Sequence, residues 1–188
     1  KVKLMGYIAS ILRFISYIAC SIACFSSSVY ADNLAVEMAF LTEKMPHPAA
    51  LSNLDPVLSD AGVQGAILAT KDNNTTGMFT GHHYELKRVD APVGEDVVSA
   101  FNQLVADGYQ YVVADVQTVT LKKLSVIAKA NNVLLFNVSS TDGELRNESC
   151  STNTFHIIPS DEMKVDALAQ LMLKKRWKKW FLVKGRDQ

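Results

Sequence analysis

The sequence is poor in cysteine and has no excess of charge of either sign. Two of its three cysteines lie within the first 31 residues, so a chain cut after Ala31 would keep Cys150 alone. A single thiol forms no internal disulfide, even in an oxidising compartment. Nineteen basic and nineteen acidic residues leave no basic field of the kind that attracts nucleic acid. These shortages exclude a disulfide-stapled scaffold and predict no nucleic acid partner.

Motifs for catalysis and cofactor binding are also missing. No glycine-rich dinucleotide loop follows the first predicted strand, and no lysine-containing phosphate loop is present. No serine lies in the strand-to-helix turn of a nucleophile elbow. Adjacent residues on a strand point to opposite faces, so we expect His82 and His83 to be solvated loop residues rather than metal ligands. The sequence therefore predicts a protein that is not an enzyme, with no catalytic residues, no metal and no cofactor.

The first 31 residues have the composition of a cleaved export signal. Basic residues precede an apolar core at 15–25, and Val29-Tyr30-Ala31 provides small residues at a cleavage site. The apolar run is shorter than the roughly 20 residues that a membrane-spanning helix needs. We expect this segment to be removed after export, with a lipid-modified Cys24 as an alternative. The start at a lysine and the stop just after a strand-like segment are typical of a fragment.

The rest of the chain alternates strand-like and helix-like segments. Predicted strands lie at 34–41, 83–89, 109–116, 132–138 and 180–183, with a short extended piece at 154–160. Predicted helices lie at 56–70 with Asp55 as cap, at 94–108 ended by Gly108, at 120–132, and at 160–176 with Ser160 as cap. This alternation predicts an α/β fold with a doubly wound parallel sheet covered on both faces.

Two loops leave predicted strands at the carboxyl edge of this sheet, which is where open parallel sheets bind ligands. The loop after the third strand holds Asp115 and Val116, and the loop after the fourth holds Ser139, Ser140 and Thr141. Each hydroxyl offers one donor and two acceptors, and the small side chains leave backbone amides open to a polar solute. An alternative is that the hydroxyls make a turn and cap the helix-like segment that follows. These five residues are the candidate ligand-binding residues.

Three stretches resemble a known family. They are "LLFNVSSTDGELR" from Leu134, the pattern C-x-x-N-x-F-H-I-I-P-S-D-x-M from Cys150, and "DALAQLMLKKRWKKWFLVKG" from Asp166. Together they resemble the substrate-binding proteins of an ABC transporter type encoded beside pyrroloquinoline quinone (PQQ)-dependent alcohol dehydrogenase systems. Those proteins are related to the branched-chain amino acid (Leu/Ile/Val) receptors and have the type I periplasmic binding protein fold.

The resemblance implies a periplasmic protein that captures a small polar or organic solute by closure of two lobes and delivers it to an ABC transporter permease in the inner membrane. It implies a signal peptide at 1–31, an N-terminal lobe at 32–158, and the start of a truncated second lobe at 159–188. A ligand-sensing regulatory lobe of the same fold, without a transport role, is the alternative.

The resemblance also bears on the candidate residues. In the amino acid receptors, the loop after the fourth strand holds the ligand through backbone groups and a threonine hydroxyl, and Ser139, Ser140 and Thr141 fall on those positions. Asp115 or Val116 stands where those receptors usually have a serine. An acid there would repel a ligand carboxylate.

Overall fold

A computed structural model describes residues 33–44, 58, 60–92 and 95–183. The predicted export signal with Cys24 and the predicted cap Asp55 lie outside the described residues. The elements are β1 (Leu34–Lys44), α1 (Ala61–Thr80), β2 (His82–Pro92), α2 (Glu95–Ala106), β3 (Tyr111–Asp115), α3 (Thr118–Ala130), β4 (Leu134–Asn137), a 3₁₀ turn (Gly143–Arg146), β5 (Thr154–His156) and α4 (Asp161–Lys174). Within these ranges, no helix combines the length and apolar character that a membrane crossing requires.

The five strands form one parallel sheet in the order β2-β1-β3-β4-β5, which confirms the predicted fold class. The register aligns Thr42 of β1 with Asp115 of β3, and Ala114 of β3 with Asn137 of β4. The carboxyl ends of β1, β3 and β4 therefore lie side by side. The order of the strands reverses between β1 and β3, and this is the point at which doubly wound sheets bind ligands.

The apolar core joins the central strands to α2 and α3. Apolar residues three and four positions apart lie on one face of a helix, and that face is buried in both helices. The buried side chains include Leu41, Val112 and Leu135 from the strands, Val97, Phe101 and Leu104 from α2, and Leu121, Leu124 and Ala128 from α3. Gly108 follows α2 with φ of 92°, the left-handed conformation predicted for it. This core fixes the carboxyl ends of β3 and β4.

The predicted bounds of the first helix were wrong. The helix runs from Ala61 to Thr80 rather than from 56 to 70, and it passes through a polar stretch that has no apolar periodicity. Asn74 holds this polar half, because its side-chain amide makes two hydrogen bonds of 2.8 Å with the backbone of Tyr84 on the edge strand β2. Local periodicity does not reveal such a contact between a helix and the edge of a sheet.

The predicted strand at 180–183 is not formed. The described residues after α4 have no regular structure, and Phe181 is 93% exposed. A strand needs a neighbouring strand for its N–H and C=O groups, and the described part of the chain offers none at this position. The predicted cap of α4 is confirmed, because Ser160 Oγ accepts a hydrogen bond from Met163 N at 3.3 Å.

Two glycines of α1 provide a matched test of the fold. A Cβ at Gly65 would meet no atom within 4 Å, whereas a Cβ at Gly77 would overlap the carbonyl oxygen of His82. We expect Gly65→Ala to raise the free energy of unfolding by up to about 1 kcal/mol, because alanine favours the helix. We expect Gly77→Ala to lower it by about 2 kcal/mol, because the turn into β2 must shift. Urea unfolding of both variants checks this, and equal effects would contradict the close approach of α1 to β2.

Candidate functional site

A cavity of about 410 Å³ opens at the carboxyl edge of the sheet. Its lining comes from the ends of β1 and β3, the start of α3, and the loop after β4. The lining residues are Glu43, Asp115, Val116, Gln117, Thr118, Val119, Ser139, Ser140 and Thr141. The structure therefore brings the five candidate residues from the sequence around one cavity. Ligand binding by these residues stays a prediction.

Asn137, the last residue of β4, organises the loop that follows it. Its side chain is fully buried, and its Oδ1 accepts hydrogen bonds from Ser140 N at 2.9 Å and Ser139 N at 3.3 Å. Its Nδ2 donates to Ser140 O at 2.6 Å and faces His156 Nδ1 at 2.9 Å. One buried amide thus satisfies the backbone of the loop and fixes its conformation.

The three hydroxyls tie the loop to its surroundings. Ser139 Oγ and Ser140 Oγ both donate to the carbonyl oxygen of Val116, at 2.9 and 2.6 Å. Thr141 Oγ1 donates to Asp161 Oδ2 at 2.8 Å, and Asp161 N donates to Thr141 O at 3.0 Å. The serines therefore join the loops after β3 and β4, and the threonine joins the second loop to α4.

The cap of the 3₁₀ turn is an acid and not a hydroxyl. Asp142 Oδ1 accepts a hydrogen bond from Glu144 N at 3.0 Å, within the helix-like segment of the sequence. The part of the alternative in which the hydroxyls cap this segment is therefore wrong, because Asp142 Oδ1 is the acceptor at its amino end. Lys122 Nζ on α3 lies 2.6 Å from Glu144 Oε2, and its hydrogen bond lowers the pKa of that carboxyl. This ion pair joins the turn to α3.

Glu43 is a residue of the cavity that the sequence interpretation missed. The apolar run of β1 ends at Leu41, but the strand continues to Lys44 and carries Glu43 into a buried position, 4% exposed. The carboxylate accepts hydrogen bonds from Gln117 N at 2.8 Å and Thr120 Oγ1 at 3.0 Å. It lies at the amino end of α3, where the helix dipole favours a negative charge. The sequence signal that could have indicated Glu43 is an acid close behind the apolar run of the first predicted strand, at the carboxyl edge of the sheet.

Asp115 is the second acid of the cavity. Its side chain is half-buried, and Oδ2 lies 3.7 Å from the position that a Cβ on Gly62 would occupy. This places the carboxylate beside the first turn of α1. Among the described residues that line the cavity there is no lysine, arginine or histidine, so the charged groups described there, Glu43 and Asp115, are both acidic.

The chain that leads from β5 into α4 is fixed to the 3₁₀ turn. Arg146 donates a short hydrogen bond to the carbonyl oxygen of Ile158. The carboxylate of Glu162 lies so close to Gly143 that a Cβ there would overlap it. A hydrogen bond from Ser160 lowers the pKa of Glu162, so the carboxylate stays charged beside the turn. The segment that leads from β5 into α4 is therefore held by contacts with the 3₁₀ turn, which directly follows the candidate binding loop.

His156 has a structural role beside Asn137. Burial lowers its pKa, and the charge of Arg146 lowers the pKa further. Its ring interacts with the backbone of Leu145, and Nδ1 faces the amide nitrogen of Asn137, so this nitrogen accepts the hydrogen bond. Protonation of His156 Nδ1 would place its N–H group opposite the N–H group of Asn137 Nδ2, and both groups are donors.

The protein should therefore lose stability as the pH falls from 7.5 to 5.5. The unfolded chain binds the proton of His156 at a higher pH than the folded chain, so stability present above the unfolded pKa is lost below it. Urea unfolding at both pH values should show a smaller loss in His156→Gln. The matched control is His83→Gln, which removes an exposed imidazole on β2. An undiminished loss in His156→Gln would contradict the assignment.

The other residues noted in the sequence lie away from the cavity. His82 and His83 begin β2 rather than lying in a loop, and His83 Nε2 is 3.3 Å from a carboxylate oxygen of Glu85. Cys150 is an exposed free thiol. Across the described ranges, no group of three histidine, cysteine or acidic residues is arranged to hold a metal ion.

Comparison with known proteins agrees with this geometry. A family model described as periplasmic binding protein matches residues 52–188. No curated protein matches the sequence. Among solved structures, an ABC transporter substrate-binding protein from Desulfitobacterium hafniense is 21% identical with a TM-score of 0.57, over 77% of this chain and 39% of that one.

Two further solved structures are similar. The leucine-, isoleucine-, valine-, threonine- and alanine-binding protein from Brucella ovis, in its closed conformation, is 20% identical with a TM-score of 0.58, over 76% of this chain and 37% of that one. The branched-chain amino acid transporter substrate binding protein LivJ from Streptococcus pneumoniae, in complex with isoleucine, is 19% identical with a TM-score of 0.53, over 68% and 34%.

The described chain spans less than two fifths of the length of these solved relatives, whose identities establish a shared fold alone. The sheet order, the cavity at the reversal point and the family match agree. The fold is that of one lobe of a type I periplasmic binding protein, and the chain belongs to the periplasmic binding protein family.

Proposed function

We propose that the chain is part of the solute-binding component of an ABC transporter, and that it captures a small solute by lobe closure without covalent chemistry. The observation that carries this proposal is the cavity at the reversal of strand order, which is lined by the loops after β3 and β4. The solved relatives described as substrate-binding proteins support it. Its partners would be the solute and an inner-membrane permease, and its location the periplasm after removal of residues 1–31.

The domain boundaries form part of the proposal. We assign 32–158 to the N-terminal lobe and 159–188 to the start of a second lobe. Helix α4 supports this division, because none of its residues is buried although it carries apolar side chains such as Val165, Leu168 and Leu173. A second lobe would cover this apolar surface and would provide the neighbouring strand that 180–183 lacks.

We also propose a link to PQQ-dependent alcohol oxidation. The support is the resemblance of Leu134 to Gly185 to the substrate-binding proteins encoded beside such systems. The contacts of Asn137, His156 and Ser160 give physical reasons for several residues of that pattern, since they shape the loop and the crossing.

The test is thermal unfolding of the full-length protein against a panel of small alcohols, amines, carboxylates, amino acids and pyrroloquinoline quinone. A solute that binds the native state stabilises it by about 2.7 kcal/mol at one hundred times its dissociation constant. We expect at least one compound to do so, and Thr141→Ala to weaken its effect. Ser99→Ala, an exposed serine on α2, is the matched control. A panel with no stabilising compound would count against the proposed function.

A further inference from the structure

Several hydrogen-bond donors that line the cavity at the carboxyl edge are already in use. The N–H groups of Ser139 and Ser140 donate to Asn137 Oδ1, and their hydroxyls donate to the carbonyl oxygen of Val116. The N–H of Gln117 donates to a buried carboxylate. A ligand carboxylate seated on this lobe would need donors of these kinds. The two serine hydroxyls keep lone pairs that can accept hydrogen bonds from a ligand.

The charge of the cavity points in the same direction. Glu43 and Asp115 line it, and no lysine, arginine or histidine is found among the lining residues in the part of the chain that the structure describes. The repulsion between a ligand carboxylate and these acids is larger in a partly buried site than in water. Glu43 is engaged at the amino end of α3, so the half-buried Asp115 is the acid available to a solute.

Building on the proposed function, we propose that the solute contacts this lobe through a protonated primary amine and places no carboxylate on it. An ammonium group carries three donors and one positive charge. Asp115 would be its charged partner, and the Ser139 and Thr141 hydroxyl oxygens would be further acceptors. This assigns Asp115 the role of a specificity-determining residue.

The experiment uses the full-length protein and matched triplets of compounds. Each triplet carries an ammonium, a hydroxyl or a carboxylate on the same skeleton, with propyl and phenylethyl skeletons as the first two. Dissociation constants come from the dependence of the melting temperature on concentration. We expect the amine of a responding triplet to bind at least about tenfold more tightly than the carboxylate, with the alcohol between them.

Two variants complete the test. Asp115→Asn keeps the size of the side chain and should reduce the preference for the amine about tenfold. Glu148→Gln, which makes the same charge change at an exposed position outside the cavity, should leave the preference unchanged. The wild-type ranking does not depend on the folding of either variant.

The outcomes separate this inference from the proposed function. If the carboxylate or the alcohol binds as tightly as the amine, or if Asp115→Asn leaves the ratio unchanged, the inference is overturned while solute binding stands. If no triplet and no other panel compound binds, the proposed function fails and the inference falls with it.

Discussion

Asn137→Ala is expected to lower the free energy of unfolding by about 4 kcal/mol, because it leaves several buried polar groups without partners at about 1–3 kcal/mol each. Asn137 Oδ1 accepts from Ser139 N and Ser140 N, and Nδ2 donates to Ser140 O and faces His156. The side chain is fully buried, so water does not replace these bonds at low cost. Urea unfolding of the full-length protein measures the loss.

Two variants serve as controls for this prediction. Asn131→Ala truncates an exposed asparagine after α3 and should change stability by less than about 0.5 kcal/mol. Asn137→Asp keeps the acceptor for the two loop amides but buries a carboxylate oxygen against the carbonyl oxygen of Ser140, so its loss should be at least as large as that of Asn137→Ala. If Asn137→Ala costs no more than Asn131→Ala, the buried network does not hold the loop.

Glu43→Ala is the second change with a large expected effect. Removal of the buried carboxylate leaves Gln117 N and Thr120 Oγ1 without their acceptor at the amino end of α3, which should cost about 3 kcal/mol. The cavity should lose affinity at the same time, because Gln117, Thr118 and Val119 form part of its wall. Urea unfolding and the solute titration report these two effects separately.

The variant Glu43→Gln separates the effect of the side chain's shape on stability from the effect of its negative charge. The glutamine retains one carbonyl oxygen for Gln117 N but loses the negative charge beside the helix dipole, so we expect a loss of about 1–2 kcal/mol. An exposed acid of the same strand, Glu37, provides the control variant Glu37→Gln. Equal stability of Glu43→Ala and wild type would show that α3 does not depend on this carboxylate.

The fold class was predictable because each buried strand and each amphipathic helix carries its own signal. The runs at β3 and β4 and the helical spacing of Val97, Phe101 and Leu104 are local features of the sequence, and they fixed the alternation that implies a parallel sheet. The second half of α1 was not predictable, because it is held by the contact of Asn74 with Tyr84 on another element. The prediction of a strand at 180–183 was wrong for a related reason, since a strand depends on a neighbouring strand that periodicity does not reveal.

The location of the candidate site was predictable, and its donor pattern was not. The rule that parallel sheets bind ligands at their carboxyl edge was enough to bring Asp115 and Ser139 to one cavity. The direction of the serine hydroxyls depends on the carbonyl of Val116, which comes from a different loop. Glu43 was missed because its role depends on α3, more than seventy residues away along the chain.

The most direct measurement is a crystal structure of the full-length protein with the compound that stabilises it most. We predict that the compound lies in the cavity between β1 and β3, with a polar group within hydrogen-bond distance of Asp115 or of the loop that holds Ser139, Ser140 and Thr141. A compound bound elsewhere, with this cavity filled by solvent, would contradict the assignment of the binding site.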